Sequence, residues 1–267
     1  GLQAMFSMMN TERIAVGMQG LGLSEIAYQN GLSYAKDRIQ GRDLKEHKNP
    51  KMEADPLLVH PDVRRMLLRS KALIDGSRML ACWTALAVDK SAKDPNPSVR
   101  KENSDLVELM TPIVKALLTD FGLEITNDML QIFGGHGYIK EYGMEQFVRD
   151  ARIAPIWEGT NGIQALDLAG RKMPQGMGRL LRRFFHPVLD FIEQNRNDSE
   201  MTEFVVPFEK AFRGLQKTTL FMAQKGLTNP YEIGAAATDY LRQFGLVAIG
   251  YMWLLMIKKA FSKTGSS

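Results

Sequence analysis

One cysteine occurs in 267 residues, and that scarcity excludes an internal disulfide framework. Such cysteine usage fits a reducing compartment. Cys82 itself sits in a helical apolar run, where a core position is expected. Four histidines with no clustered cysteine leave no ligand set for a structural metal. Strand signals are equally scarce. No segment sustains an apolar–polar alternation, and no Asn-Gly turn joins two β-branched runs. Strong charge is missing too. A net charge of +4 with a pI near 9.1 suits an anionic small-molecule ligand, but it is too weak and too evenly spread for nucleic acid. The longest apolar run, Phe244 to Ile257, falls short of the roughly 18 residues that span a bilayer, and Gly245 and Gly250 interrupt it. A buried helix is its first reading and a partner-binding helix its second. The start, Gly1-Leu2-Gln3-Ala4-Met5-Phe6, has neither the basic segment nor the cleavage site of a signal peptide.

Helical periodicity fills the space these absences leave, so the fold class is all-α. A first helix is expected from about Met5 to Arg38, with Ile14, Met18, Leu21, Ile26 and Leu32 on one broad face. Gly17, Gly20, Gly22 and Gly31 cost helix propensity, and close helix–helix approach is the expected return. Gly20-Leu21-Gly22 is no dinucleotide fingerprint, because no strand precedes it. Residues 41–58 read as a charged connection. Pro61 suits the first turn of a second helix, about 61–93, which Pro95 and Pro97 end. Ser98 is placed to cap a third helix, about 99–121, stopped near Gly122, and a shorter fourth segment reaches Phe133. Four helices with short links predict an antiparallel four-helix bundle.

Composition shifts after Lys172. Pro174-Gln175-Gly176-Met177-Gly178 reads as a linker or sharp turn. Helical stretches near 179–195, 200–226 and 230–262 follow, with apolar faces of their own such as Phe184, Val188, Phe191 and Ile192. The expected organisation is a bundle over residues 1–172 and a second helical unit over 173–267, with a frayed tail at 263–267.

The most informative residues are Gln131-Ile132-Phe133-Gly134-Gly135-His136-Gly137-Tyr138, then Arg149-Asp150-Ala151, then Ile156-Trp157-Glu158-Gly159-Thr160. The first piece ends a helical pattern in a glycine-rich turn. The last sets a lone carboxylate between a Trp and a Gly-Thr that opens the next helix. Read locally, Glu158 is either a general base beside an apolar wall or a loop carboxylate favoured by the following helix dipole.

These pieces, in this order, resemble the C-terminal signature of the acyl-CoA dehydrogenases, flavoenzymes that oxidise the Cα–Cβ bond of acyl-CoA thioesters. The resemblance runs over residues 1–172. Residues 173–267 resemble the helical domain appended in a subgroup of larger bacterial members. The resemblance implies a cytoplasmic bacterial enzyme that uses FAD, passes electrons to an electron-transfer flavoprotein, and assembles as a homodimer or homotetramer. Glu158 falls at the position of the catalytic base, with Trp157 and Ile153-Ala154-Pro155-Ile156 expected to desolvate it. In the family, the backbone N–H of this Glu and a flavin ribityl hydroxyl bind the thioester oxygen, and Gly159 beside it is expected to be a substrate contact.

A minority of the family carries its base on the first helix instead, just before an Arg, and Glu12-Arg13 occupies that place. With carboxylates at both positions, one is expected to be paired, Glu12 being the candidate. Arg13 matches a residue that contacts CoA, with Asn10 one turn earlier. Arg38 matches an Arg that reaches the FAD of a neighbouring subunit, although this chain reads Arg38-Ile39-Gln40-Gly41-Arg42 where the family has Arg-x-x-Phe-Gly. Gln131, Gly134 and Gly135 match positions that hold the ADP half of that flavin. Thr160 matches a contact of the subunit's own flavin, and Gly162 stands where many relatives carry Gln. His136 stands where the family often has Asn and is read as a turn residue. Met5, Met8 and Met9 fall in the stretch that lines the acyl-CoA entrance, where soft side chains tolerate varied acyl groups.

The family's N-terminal helical domain and middle β domain have no counterpart, and the chain opens mid-pattern, so a C-terminal portion of a longer enzyme is expected. Such a portion alone is expected to be inactive. An acyl-CoA oxidase and a non-catalytic helical oligomerisation module remain the alternatives.

Overall fold

A computed structural model describes residues 2–46, 48 and 50–264, with side chains from 8 to 262. The expectations for Met5 and for the end of the tail lie outside the described side chains. The described residues are mostly helical and contain no strand beyond a single antiparallel bridge between Ile39 and Pro56. Three long helices come first: α1 (Leu2–Asp37), α2 (Pro61–Lys93) and α3 (Pro97–Phe133). Shorter ones follow: α4 (Gly135–Tyr138), α5 (Met144–Ile153) and α6 (Asn161–Leu166). A widened π-helical turn covers Asp167–Lys172. The chain ends in α7 (Arg179–Asn195), α8 (Thr202–Thr228) and α9 (Pro230–Thr264).

The break expected near Gly122 is absent, since α3 runs unbroken to Phe133. Gly122 is a packing residue there and not a stop. A Cβ on it would lie 3.0 Å from the Cα of Gly20. A Cβ on Gly20 would lie 2.5 Å from the carbonyl oxygen of Leu118, and one on Gly31 2.5 Å from the sulfur of Met129. Gly22, by contrast, faces open space.

The buried stripe of α1 therefore differs from the one read from large apolar residues. Gly20, Ser24, Ala27, Gly31 and Ala35 are buried, while Met18 and Ile26 are exposed. Small residues let two backbones approach, and hydropathy patterns underweight them. Cys82 is a second correction: it is exposed on α2, where the buried positions around it are Leu80, Ala81, Thr84 and Ala87.

Contacts divide the chain into two compact units. One comprises residues 16–77 and 118–157. In it, the close glycine contacts above join α1 to α3, and Arg69 of α2 pairs with Glu124 and with Asp128 of α3. The other comprises residues 1–15, 78–117 and 158–267. Its core is aromatic and aliphatic. Phe184 of α7 lies against Trp83, Phe244 and Tyr251, and a Cβ on Gly245 of α9 would lie 2.7 Å from Leu117 of α3. Arg179 and Arg183 of α7 both pair with the buried Asp105 of α3.

Residues 174–178 form a turn with positive φ at Gly176, Met177 and Gly178. Helix α9 is long and apolar enough to cross a membrane by composition. One side of it, including Tyr240, Phe244, Ala248 and Met252, is buried within the protein.

Candidate active site

Helix α5 ends at Ile153, whose carbonyl accepts the N–H groups of Ile156 and Trp157. The chain then enters a left-handed turn, with φ of 53° at Glu158 and 86° at Gly159. Positive φ is uncommon for a residue with a Cβ and costs on the order of 1–3 kcal/mol, so other contacts must hold it. Thr160 closes the turn as the N-cap of α6, its Oγ1 accepting the N–H of Ile163 at 3.3 Å.

Side chains from outside hold the back of this turn. Arg13 Nε donates to the Glu158 carbonyl at 3.4 Å, and Arg13 Nη1 lies 3.7 Å from Asp167 Oδ2. Gln164 Nε2 donates to the Gly159 carbonyl at 3.1 Å and lies 3.5 Å from the Glu158 carbonyl oxygen. The first residue of α6 is tied to α3: Lys115 Nζ donates to Asn161 Oδ1 at 2.9 Å, and Asn161 Nδ2 donates to the Ala116 carbonyl at 3.1 Å. Lys115, at 0% exposure, is a fully buried cation. The carbonyls of the turn are thus engaged, while the Glu158 residue is exposed.

The residues expected to desolvate Glu158 are themselves mostly exposed. Ile153, Ile156 and Trp157 are all exposed, Trp157 at 44%, and only Ala154 is buried. Glu12 is exposed as well, and the pairing expected for it is absent: neither Glu12 nor Glu158 forms an ion pair among the described residues. Arg13 is buried at 7%, its guanidinium turned to Glu158 and Asp167.

Asn10, half-buried, lines a cleft of roughly 240 Å³ with Thr11, Ile14, Ser91, Ser104 and Glu108. Burial raises the Glu108 carboxyl, but the hydrogen bond and charge of Lys172 outweigh it and hold the group below its ordinary value. Met8 is exposed and Met9 half-buried.

The other unit carries the second set of residues. Arg38 follows α1, donates its N–H to Tyr34, and accepts from Leu57 through its carbonyl, so the following loop runs against residues 55–57. Arg38, Gln131, Gly134 and Gly135 are all exposed. Gly134 has φ of 58°, and a Cβ on either Gly134 or Gly135 would meet nothing within 4 Å. This open, glycine-lined turn can accept a ligand against its backbone. His136, read as a turn residue, lies instead in the short helix α4, with Nδ1 2.8 Å from the Tyr34 hydroxyl and its ring stacked on Tyr142.

Sequence reading missed Gln164, Asp167, Lys115 and Tyr34. Each acts across a turn or helix boundary, and only Gln164 stood near a signature residue.

Residues 1–173 match the family described as "Acyl-CoA dehydrogenase, C-terminal domain", and residues 184–267 match "Acetyl-CoA dehydrogenase C-terminal like". A 3-methylmercaptopropionyl-CoA dehydrogenase of Ruegeria pomeroyi is 47% identical over 184 residues, 69% of this chain and 31% of that protein. A butyryl-CoA dehydrogenase of Syntrophomonas wolfei is 33% identical over 254 residues, 95% of this chain and 41% of that protein. Among solved structures, an acyl-CoA dehydrogenase from Bacillus anthracis complexed with FAD shares the fold with a TM-score of 0.75 at 19% identity, covering 99% of this chain and 45% of that one. The chain spans less than half the length of these relatives. With the first 173 residues matched to its C-terminal domain, this chain belongs to the acyl-CoA dehydrogenase family.

Proposed function

We propose that this chain is the C-terminal portion of an FAD-dependent acyl-CoA dehydrogenase, with residues 1–172 as its helical bundle and 173–267 as an appended helical domain. The observation that carries this reading is Glu158, held at positive φ by bonds to the backbone of its own turn while its carboxylate stays exposed to a reactant. The reaction removes one proton and one hydride. Glu158 takes the proton from Cα of the thioester, the β-hydride leaves with its electron pair, and Cα=Cβ forms. Bound FAD supplies the acceptor for that hydride. An acid next to a thioester carbonyl is weak, so the Glu158 carboxylate needs water excluded from it when substrate binds. The exposure of Ile153, Ile156 and Trp157 fits a site whose cover comes from outside this chain.

The open turn at Gly134 and Gly135, with Gln131 and Arg38 in the same unit, fits the ADP half of a flavin held by a neighbouring subunit. Thr160 supplies a contact to the subunit's own flavin. Asn10, Arg13 and Gly159 serve the thioester and its CoA, with Arg13 acting through the Glu158 carbonyl. An electron-transfer flavoprotein reoxidises the enzyme, which works as a homodimer or homotetramer. The relatives' names point to a short acyl-CoA, and the similarity to the Ruegeria protein makes a sulfur-containing acyl group the first to test.

The test is Glu158→Gln in the intact flavoenzyme. Flavin and acyl-CoA should still bind, while flavin reduction by substrate should slow by at least about a thousandfold, since general-base contributions reach about 10⁴. Reduction at the native rate would remove Glu158 from the mechanism and leave Glu12 as the remaining carboxylate.

A further inference from the structure

Gln164 is fully buried, yet it belongs to no position that binds substrate or flavin in the proposal above. Its Nε2 lies 3.1 Å from the Gly159 carbonyl and 3.5 Å from the Glu158 carbonyl. Its Oε1 is buried and has no hydrogen-bond partner among the described residues. A buried amide that leaves its acceptor unsatisfied is expensive. The donor side is where its return lies. A Cβ on Gly159 would stand 2.8 Å from that same Nε2, so the amide packs against the turn at the limit of contact and Gly159 alone fits there.

The helix bearing Gln164 is fixed in turn. Asn161, three residues earlier, accepts from the buried Lys115 and donates to the Ala116 carbonyl. A continuous line therefore runs from α3 through Lys115 and Asn161 to Gln164 and on to the carbonyls behind Glu158.

We infer that Gln164 is a positioning residue for the general base: its amide holds the left-handed turn so that the Glu158 carboxylate is presented to the substrate α-carbon. The inference rests on Glu158 being that base. A left-handed Glu is a high-energy conformer; without the amide donor the Gly159 carbonyl loses its bond from Gln164 and the Glu158 carbonyl keeps only Arg13, which loosens the turn toward ordinary φ. Relaxation swings the carboxylate most, and the proposed flavin and CoA contacts at Asn10, Arg13, Arg38 and Gln131 lie outside the turn. The lost quantity is orientation, and orientation appears in the chemical step.

The experiment uses the intact flavoenzyme and the Gln164→Met variant, which keeps length and volume, removes the donor, and also removes the orphaned acceptor. Anaerobic rapid-reaction mixing with the acyl-CoA substrate reads three quantities: the limiting rate of flavin reduction, the substrate dissociation constant, and the kinetic isotope effect from α-deuterated substrate. The limiting rate should fall roughly tenfold to a hundredfold. The dissociation constant and flavin content should stay within about twofold of wild type, and the isotope effect should hold or rise, because proton transfer has become slower. Gln164→Asn, which keeps the amide but shortens its reach by one methylene, should show the same split.

Native reduction rates in both variants, with Glu158→Gln inactive, would overturn the positioning role and leave the base intact. Loss of flavin or of substrate affinity in both variants would make Gln164 a general structural residue and equally overturn it. An active Glu158→Gln would overturn the base assignment first, and this inference with it.

Discussion

Gly20 and Gly22 lie two residues apart in one helix, and the structure assigns them opposite responses to the same change. An alanine methyl at Gly20 would sit 2.5 Å from the Leu118 carbonyl oxygen and 2.9 Å from the Leu118 carbonyl carbon and the Thr119 Cα. All three are backbone atoms of α3, so no side chain can rotate away. Ordinary carbon contacts lie near 3.5–4.0 Å, and the two helices would have to separate by about 1 Å. Overpacking of this kind costs about 1–3 kcal/mol, against about 1 kcal/mol gained from the better helix propensity of alanine. Gly20→Ala should therefore destabilise by up to about 2 kcal/mol on these two terms. At Gly22 a methyl meets nothing within 4 Å, and Gly22→Ala should stabilise by about 1 kcal/mol. Urea unfolding followed by helical circular dichroism, wild type beside each variant, reads both signs. A Gly20→Ala protein as stable as Gly22→Ala would refute the close approach of α1 to α3.

Tyr240 provides an alkaline signature. Burial raises its phenol to about 12, against a smaller lowering by the hydrogen bond with Thr219. The unfolded chain ionises nearer the ordinary value of about 10, so it loses the proton first. Stability from this group is complete below about pH 10 and is lost as pH rises toward 12. Tyr240→Phe should flatten that alkaline loss while costing about 1 kcal/mol at neutral pH, and an unchanged alkaline limb would contradict it. The chain by itself should not retain flavin. Expressed alone, it should elute from gel filtration without stoichiometric FAD and show no acyl-CoA turnover, whereas a yellow, flavin-saturated fraction would refute the need for further segments.

The helices of residues 173–267 were legible because their turn signals are strong. Gly176 and Gly178 take positive φ in the stretch read as a linker or sharp turn, and Pro230 opens α9 where Asn229-Pro230 marks it. The end of α3 was not legible. Gly122 reads as a helix stop by propensity, but its real partner is Gly20, about a hundred residues away in sequence, and tertiary contact overrides local preference. For the same reason the buried stripe of α1 was misjudged at Met18 and Ile26, though Leu21 is buried as read, since Gly20, Ala27 and Gly31 gain from close packing and not from transfer of large apolar surface. The residue types around Glu158 left a base and a plain loop carboxylate both open, the family resemblance implied the base, and the contacts that hold the turn did not show in the sequence. Arg13 reaches it across 145 residues, and Lys115 reaches Asn161 across 46.

The central claim is that this chain serves acyl-CoA oxidation at a flavin. The direct measurement is an anaerobic titration of the intact parent protein with a panel of acyl-CoAs, short, long and sulfur-containing, while the oxidised flavin band is followed. The account predicts that one class bleaches the band, which would establish the reaction and name the substrate together. A protein that holds flavin but stays oxidised with every thioester, or that holds no flavin at all, would contradict it and turn the weight to a helical assembly module.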